Sequence, residues 1–538
     1  MHGLLVAVTG IYTLILIFLG RLGKRRAKGE DFLTGGRQFN VWQVFLMISA
    51  LWCSWIFIVE VETAYLFGLS AMWFGFSVGL QALFSIYVMG SSLSKKGFIT
   101  NSHLLGDHFG AAARTIAGLI IALTFPVFAM SNVLAAAAFI HVVAGWPLLA
   151  TLIGTALVVL VYILAGGIWS LAYTQIANFV VIFVGLLVGV GLALHAEPWG
   201  ELHRTLQPRY FALTSIGWTM IGAWIFSLLL NVVSAQAEFQ ILMAAKDMRT
   251  AKIGLTLAMI SIAVFSILSA VIGLCVRAAT ADPKTLGVMA LPMLYAKHYS
   301  GLPVLIMTLT LWAAALMWSA PLMFSGASSL GHDLLRHWAG QRLSNRAKFC
   351  VQVCLPVQAA LIVVYGLARP DQLAWWQVFG LTLRNGAIFA PTVAILVWPG
   401  VTRVAAIFSI VVGSASGLIW NALGHFSAQH FFLGVNPMWV GATSGILILI
   451  GGALLTARIG MVADLSAMRH KVGLLSASIL GIGLIALAKW FDALHAGGYL
   501  GPDLLIVSVA TLALCAAYVR LDSAGSKEAA LPMRAADS

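Results

Sequence analysis

Charged side chains are scarce in this chain. They make up 9% of its 538 residues, against about 25% in an ordinary soluble protein. Too few polar side chains remain to cover a globular surface. That argues at once against a soluble enzyme, a disordered protein and a nucleic-acid binder. Cysteine is sparse as well: Cys53, Cys275, Cys350, Cys354 and Cys515, all within or beside apolar segments. An odd number so placed implies no disulfide framework. Cys350 and Cys354 stand four apart, but no second pair of ligands is nearby, so they read as two residues on an apolar helix face. Walker-type glycine loops, HExxH and nucleophile elbows are missing, so ATP-driven transport has no support. No Lys or Arg precedes the first apolar run, 3–20, and no small-residue cleavage site ends it. The run reads as a retained span, not a signal peptide.

Apolar residues are what the chain has in abundance: 61% of it is hydrophobic, and its mean hydropathy is +0.97. A bilayer core needs about 20 apolar residues per spanning helix. Fifteen candidate segments fall near residues 3–20, 40–67, 70–92, 114–143, 147–166, 171–195, 214–243, 252–275, 302–330, 349–367, 373–398, 404–424, 437–457, 472–490 and 503–519. The expected fold is therefore an all-α polytopic membrane protein with about 15 transmembrane helices. With the N-terminus outside, most of the 31 Lys and Arg residues collect on the cytoplasmic side, in clusters such as Arg21–Lys28, Lys95–Lys96, Lys246–Lys252 and Arg336–Lys348. This asymmetry sets the orientation: N-terminus outside, C-terminus cytoplasmic, in a bacterial inner membrane. The net charge of +13 then marks topology, with membrane lipid as the surroundings and no nucleic-acid partner. What remains is a secondary transporter, a channel or a membrane-embedded enzyme. No nucleophile–base pair or metal cluster supports the enzyme.

Five local strings resemble the sodium:solute symporter family, the relatives of the sodium–proline and sodium–glucose symporters. They are DFLTGGRQF (Asp31 to Phe39), TNSHLLGDHFG (Thr100 to Gly110), GGIWSLAYTQIAN (Gly166 to Asn178), AQAEFQILMAAKD (Ala235 to Asp247), and ALPMLYAKHYSGLPVL leading into AAALMWSAPLMFSGASSLGHDLL (Ala313 to Leu335). Each is weak alone, but their order and spacing match along residues 30–400. The resemblance implies a five-plus-five inverted-repeat (leucine-transporter-type) core. On that reading residues 1–39 form an extra helix and cytoplasmic loop. Residues 40–398 form the core, with repeats at about 40–195 and 214–398. Extra helices occupy 399–520, and 521–538 is a cytoplasmic tail. In such folds broken helices meet at the membrane midplane. The matching breaks fall at Cys53–Ser54 in the first repeat and at Asn231–Ser234 in the second.

The resemblance also implies site residues. A sodium ion wants several hard oxygen ligands. The family's first ion site maps onto Ser49, Trp52, Ala315, Trp318 and Ser319. There Trp318 replaces one hydroxyl of a pair, and only Ser319 survives. A second cation position maps onto Thr174 and Gln175, with Gln175 standing where the family has Asp. The solute-facing position maps onto Ile56, beside Cys53 and Ser54, opposite Asn231 and Gln236.

Four charges lie inside apparent spans: Glu60, Glu62, Glu238 and Arg384. Each costs about 2.5–3.5 kcal/mol at mid-membrane on insertion scales, so each needs a partner, a proton or a wet cavity. Glu60 and Glu62 are about 200° apart on a regular helix, so only one faces the cavity. Glu60, one turn beyond Ile56, is the one on that face. Glu238 sits near the cytoplasmic end, where a solvated structural role is at least as fitting. Arg384 either neutralises Glu60 or clamps a substrate carboxylate through its planar fork. His141 and His332 read as helix-end polar residues. The expected function is a sodium-driven symporter importing a small polar organic solute. The alternatives are proton coupling in the same fold and a transporter-like solute sensor. The oligomeric state is left open.

Overall fold

The computed structural model describes residues 2–24, 35–88, 100–164, 167–280, 287–338, 346–368, 373–427, 431–462 and 466–522. Residues 25–34, Lys95, Lys96 and 523–538, where loops and the tail were expected, lie outside them. Among the described residues, helix is found in all fifteen expected segments. In chain order the helices are α1 (His2–Lys24), α2 (Val41–Phe67), α3 (Met72–Val88), α4 (Asn101–Phe109), α5 (Ala111–Ala144), α6 (Leu148–Leu164) and α7 (Gly167–Ala196). Then follow α8 (Trp199–Thr205), α9 (Trp218–Asn231), α10 (Gln236–Met243), α11 (Met248–Ala279), α12 (Gly287–His298) and α13 (Leu302–Ser328). The last are α14 (Ala347–Ala368), α15 (Leu373–Val397), α16 (Arg403–Leu423), α17 (Pro437–Thr456), α18 (Ala467–Ala496) and α19 (Leu500–Tyr518). The α13 axis runs on through a π-helical stretch, Ser329–Leu335.

Among the described residues, 12 helical stretches are long and apolar enough to cross a membrane, and 13 with one bent pair. One of the 12, Val41–Ser85, is two passes. Residues 60 and 75 would lie about 22 Å apart on a straight helix, yet a Cβ added at Gly75 would sit 3.0 Å from the Glu60 carboxylate. Trp55 also meets Phe74 at 4.7 Å between ring centroids. So α3 folds back along α2. The turn starts at Gly68, whose φ is 72°. A Cβ there would fall 2.0 Å from the Tyr210 carbonyl oxygen, so only glycine fits.

The chain divides into two compact units. The first holds the described residues up to His103 and from Gly118 to Leu381; the second holds Leu104–Ala117 and the described residues from Thr382 on. In the first unit, two prolines in long helices are matched by amides from other helices. Proline lacks an N–H and so frees the carbonyl four residues earlier. Pro126 frees Ala122, which accepts from Gln358 Nε2 at 3.1 Å. Pro321 frees Met317, which accepts from Gln175 Nε2 at 2.7 Å. Helix α1 belongs to this unit: Tyr12 donates to Asn178 Oδ1 at 2.7 Å, and Trp312 donates to Thr13 Oγ1 at 3.0 Å.

The second unit is seamed by glycine. Gly413 and Gly417 on α16 and Gly441 and Gly445 on α17 each form a GxxxG pair. Such pairs let helix backbones approach closely where water provides no drive. A Cβ at Gly413 would lie 2.0 Å from the Gly386 oxygen of α15, and one at Gly445 2.6 Å from the same atom. A two-stranded antiparallel ribbon, β1 (Arg458–Met461) with β2 (Val519–Asp522), pairs Ile459 with Leu521.

Candidate transport site at a broken helix

Helices α9 and α10 are bent by 46° across the break at residues 232–235. The turn closes through Ser234 N to the Asn231 oxygen at 2.8 Å and Gln236 N to the Ser234 oxygen at 2.8 Å. The backbone freed by the break is met by side chains. Asn101 Nδ2 donates to the Val233 oxygen at 3.0 Å. Gln236 Oε1 accepts from Asn101 N at 3.1 Å, and its Nε2 donates to the Ser325 oxygen at 2.9 Å. Asn231 Nδ2 donates to Gln81 Oε1 at 2.9 Å, and Ser234 Oγ donates to Asn231 Oδ1 at 2.9 Å. In a membrane interior such groups must be satisfied by protein or water. Helices α3, α4 and α13 supply the partners.

The strings singled out in the sequence meet around this break. Gln236 is tied to Asn101 and to Ser325 and Ser329. Phe39 is hydrogen-bonded on both sides of its peptide, to the Ala244 oxygen and from Lys246 N, each at 2.9 Å. Its ring lies edge-on to Trp169 at 5.0 Å. At the π-helical end of α13, Asp333 Oδ2 accepts from Thr100 and from Ser102 Oγ. His332 Nδ1 meets Asp333 Oδ1 at 2.7 Å, and Arg336 lies 2.9 Å from His332 Nε2. His332 is thus one link of an Arg336–His332–Asp333 chain, more than a helix-end residue.

The other expected break is absent. Helix α2 runs unbroken through Cys53 and Ser54. Its 27 residues include no glycine or proline, and Ser54 Oγ donates back to the Ala50 oxygen at 2.8 Å. The reason is packing. Trp52, Trp55 and Trp318 fill the space beside it, with Trp55 and Trp318 stacked at 5.0 Å and Trp52 5.9 Å from Trp318. A polar cavity that would stabilise freed backbone groups is thus replaced by indole rings. Ile56 is fully buried in the same helix.

The expected ion ligands are engaged with protein. Ser319 Oγ donates to the Ala129 oxygen at 2.9 Å, and Trp318 Nε1 donates to the Phe128 oxygen at 2.8 Å. Ser49 Oγ accepts from Ser261 Oγ at 2.7 Å, and Cys53 Sγ lies 3.7 Å from the same hydroxyl. Ala315 is fully buried in α13. Thr174 Oγ1 is held between Tyr162 and the Ser170 oxygen. Gln175 turns its N–H toward α13, while its Oε1 makes no hydrogen bond among the described residues. Asn132, not anticipated, bridges α2 and α13 by donating Nδ2 to the Ser54 oxygen at 3.0 Å and the Ala314 oxygen at 3.1 Å. In this conformation the region presents N–H groups and rings more than free oxygens.

Three of the intramembrane charges lie in the first unit and one in the second. Glu60 Oε1 accepts from Ser266 Oγ of α11 at 2.7 Å. Glu62 is buried and packs where a Cβ at Gly287, the first residue of α12, would meet its Cγ at 2.6 Å. Glu238 is not solvated: it is 0% exposed. Its Oε2 accepts from Trp52 Nε1 at 3.1 Å and Gln81 Nε2 at 3.0 Å. Arg384 is buried within α15 and belongs to the second unit. Asn132 and Gln81 carry a signal in the sequence: an amide inside a long apolar run needs a partner, as a charge does.

A polytopic helical protein with a broken helix, sealed by converging amides, has the architecture of a secondary transporter. The model of the family described as "Sodium:solute symporter family" matches residues 32–413. The chain belongs to that family, and its members are transporters, not enzymes. A sodium/proline symporter of Staphylococcus aureus (strain Newman) is 24% identical over 441 residues, covering 77% of this chain and 85% of that protein. The sodium/proline symporter of strain JH9 is 23% identical with the same coverage. A Na+-coupled sialic acid symporter, solved in a substrate-bound outward-open state, superposes with a TM-score of 0.69 at 15% identity, over 84% of this chain and 96% of that one. The fold is thus the one expected, and sodium is the coupling ion of the family.

Proposed function

We propose that this chain imports a small polar organic solute, an amino-acid-like molecule, an amine or a relative, by alternating access driven by the sodium gradient. The observation that carries the reading is the bent α9–α10 pair, whose freed groups are met by Asn101, Gln81, Gln236 and Asn231. Cys53, Ser54, Ile56 and Glu60 line the α2 side of the solute path, and Asn231 and Gln236 the α9–α10 side. Ser49, Trp52, Ala315, Trp318 and Ser319, with Thr174 and Gln175, are the candidate ion positions, and they need a rearrangement of the indoles to act. The core spans 40–398, in a bacterial inner membrane with the N-terminus outside. Proline and sialic acid, the solutes in the relatives' names, differ from one another, so the shared fold does not select the solute.

Proton coupling is favoured by one observation: the candidate oxygens are committed to protein donors while Glu60 and Glu238 are buried carboxyls. On that reading Glu60→Gln lowers uptake or flattens its dependence on pH. Uptake unchanged at every pH would remove Glu60 from the mechanism. Carrier and sensor are separated by offering proteoliposomes a panel of amino acids, amines, organic acids and sugars. A carrier accumulates one class under a gradient, and a pure sensor accumulates none.

A further inference from the structure

We propose that the transported solute carries a protonated amine, held by the Glu238 carboxylate and the indole faces of Trp52, Trp55 and Trp318. This rests on the transport reading above and names its substrate class. Glu238 stands two residues past the start of α10, wholly buried. The groups on it among the described residues are the neutral donors Trp52, Gln81 and the neighbouring Ser85. A carboxylate at such a depth needs a positive partner or a proton. Its Oε1, the neighbouring Ser85 hydroxyl and the buried indole Nε1 of Trp55 make no hydrogen bond of normal geometry. Oε1 thus faces one neutral hydroxyl and no charge, and the Trp55 N–H is left over in the same aromatic cluster.

The surroundings select among cations. Trp52 and Trp55 lie 5.5 Å apart, Trp318 stacks on Trp55, and Phe74 and Trp224 extend the cluster at 5.7 Å from each other. Indole faces attract cations through their quadrupole. Sodium instead wants several hard oxygens, and here Oε2 already faces two N–H groups while Ser319 is turned to Ala129. An ammonium suits both features: its charge rests against the rings, and its N–H donates to Oε1. The leftover Trp55 N–H meets an oxygen of the same solute.

The test uses the purified full chain and four matched probes: ethanolamine, choline, ethylene glycol and glycolate. Binding is read as a saturable rise in Tm and as an equilibrium Kd. Ethanolamine is expected to bind, choline to bind more weakly for want of an N–H, and the neutral and anionic probes not to bind. Glu238→Gln should weaken ethanolamine at least about tenfold, and Trp318→Ala likewise, while Trp318→Phe keeps a ring and most of the affinity. Ethylene glycol or glycolate binding as well as ethanolamine overturns the proposal, as does wild-type affinity in Glu238→Gln. Should that variant not fold, the wild-type probe series still decides. Sodium-driven uptake of a neutral solute with no response to ethanolamine would overturn this inference and leave the symporter standing. Saturable ethanolamine binding without driven uptake of any solute would do the reverse.

Discussion

Gly413→Ala and Gly451→Ala, the same chemical change on neighbouring helices, are expected to move stability in opposite directions. At Gly413 the new Cβ would lie 2.0 Å from the Gly386 oxygen and 3.0 Å from the Gly445 Cα. Both are backbone atoms, so no side chain can swing aside. Overpacking of this kind costs typically about 1–3 kcal/mol, and a backbone clash belongs at the upper end. At Gly451 of α17 nothing lies within 4 Å of the new Cβ. There alanine should gain about 0.8 kcal/mol from helix propensity alone. Melting temperatures of the two variants in detergent, each against the parent chain, check the pair. A neutral Gly413→Ala would mean that α15, α16 and α17 are not held at the spacing described.

Asn132→Leu should be the most damaging polar substitution in the first unit. Its amide joins α2 to α13 through the Ser54 and Ala314 oxygens, and the residue is completely buried. Interhelical hydrogen bonds in membranes average about 0.6 kcal/mol and reach about 1.7. Two bonds from one amide therefore put the loss near 1–3 kcal/mol. The functional effect should exceed this, because the bridge holds the carbonyls of Ser54, a candidate solute position, and of Ala314, next to the candidate ion position Ala315. A lowered Tm together with lost uptake is the expected result. A normal Tm with normal uptake would remove the bridge from the account.

Much of this architecture is readable from apolar run lengths, because helix length and hydrophobicity are local properties. The second break follows from the family resemblance, and there Asn231, Ser234 and Gln236 interrupt an apolar stretch with groups that favour local turns. The first break was misplaced because a family pattern was carried across without its local chemistry. No glycine or proline lies between Val41 and Phe67, and tryptophans occupy the space a cavity would need. Gln175 shows a different limit. Its partner is the carbonyl that Pro321 frees, 142 residues away, and no local pattern reports such a contact. Glu238, placed near the cytoplasmic end, fits a solvated role on position alone. In the structure the bend turns its side chain into the protein, onto Trp52 and Gln81.

The central claim, a sodium-driven carrier, is tested most directly by imposing one gradient at a time on the same proteoliposomes. With an inward sodium gradient alone, the solute should accumulate above its outside concentration and leak back when a sodium ionophore is added. Accumulation under a proton gradient alone, with none under sodium, would contradict it.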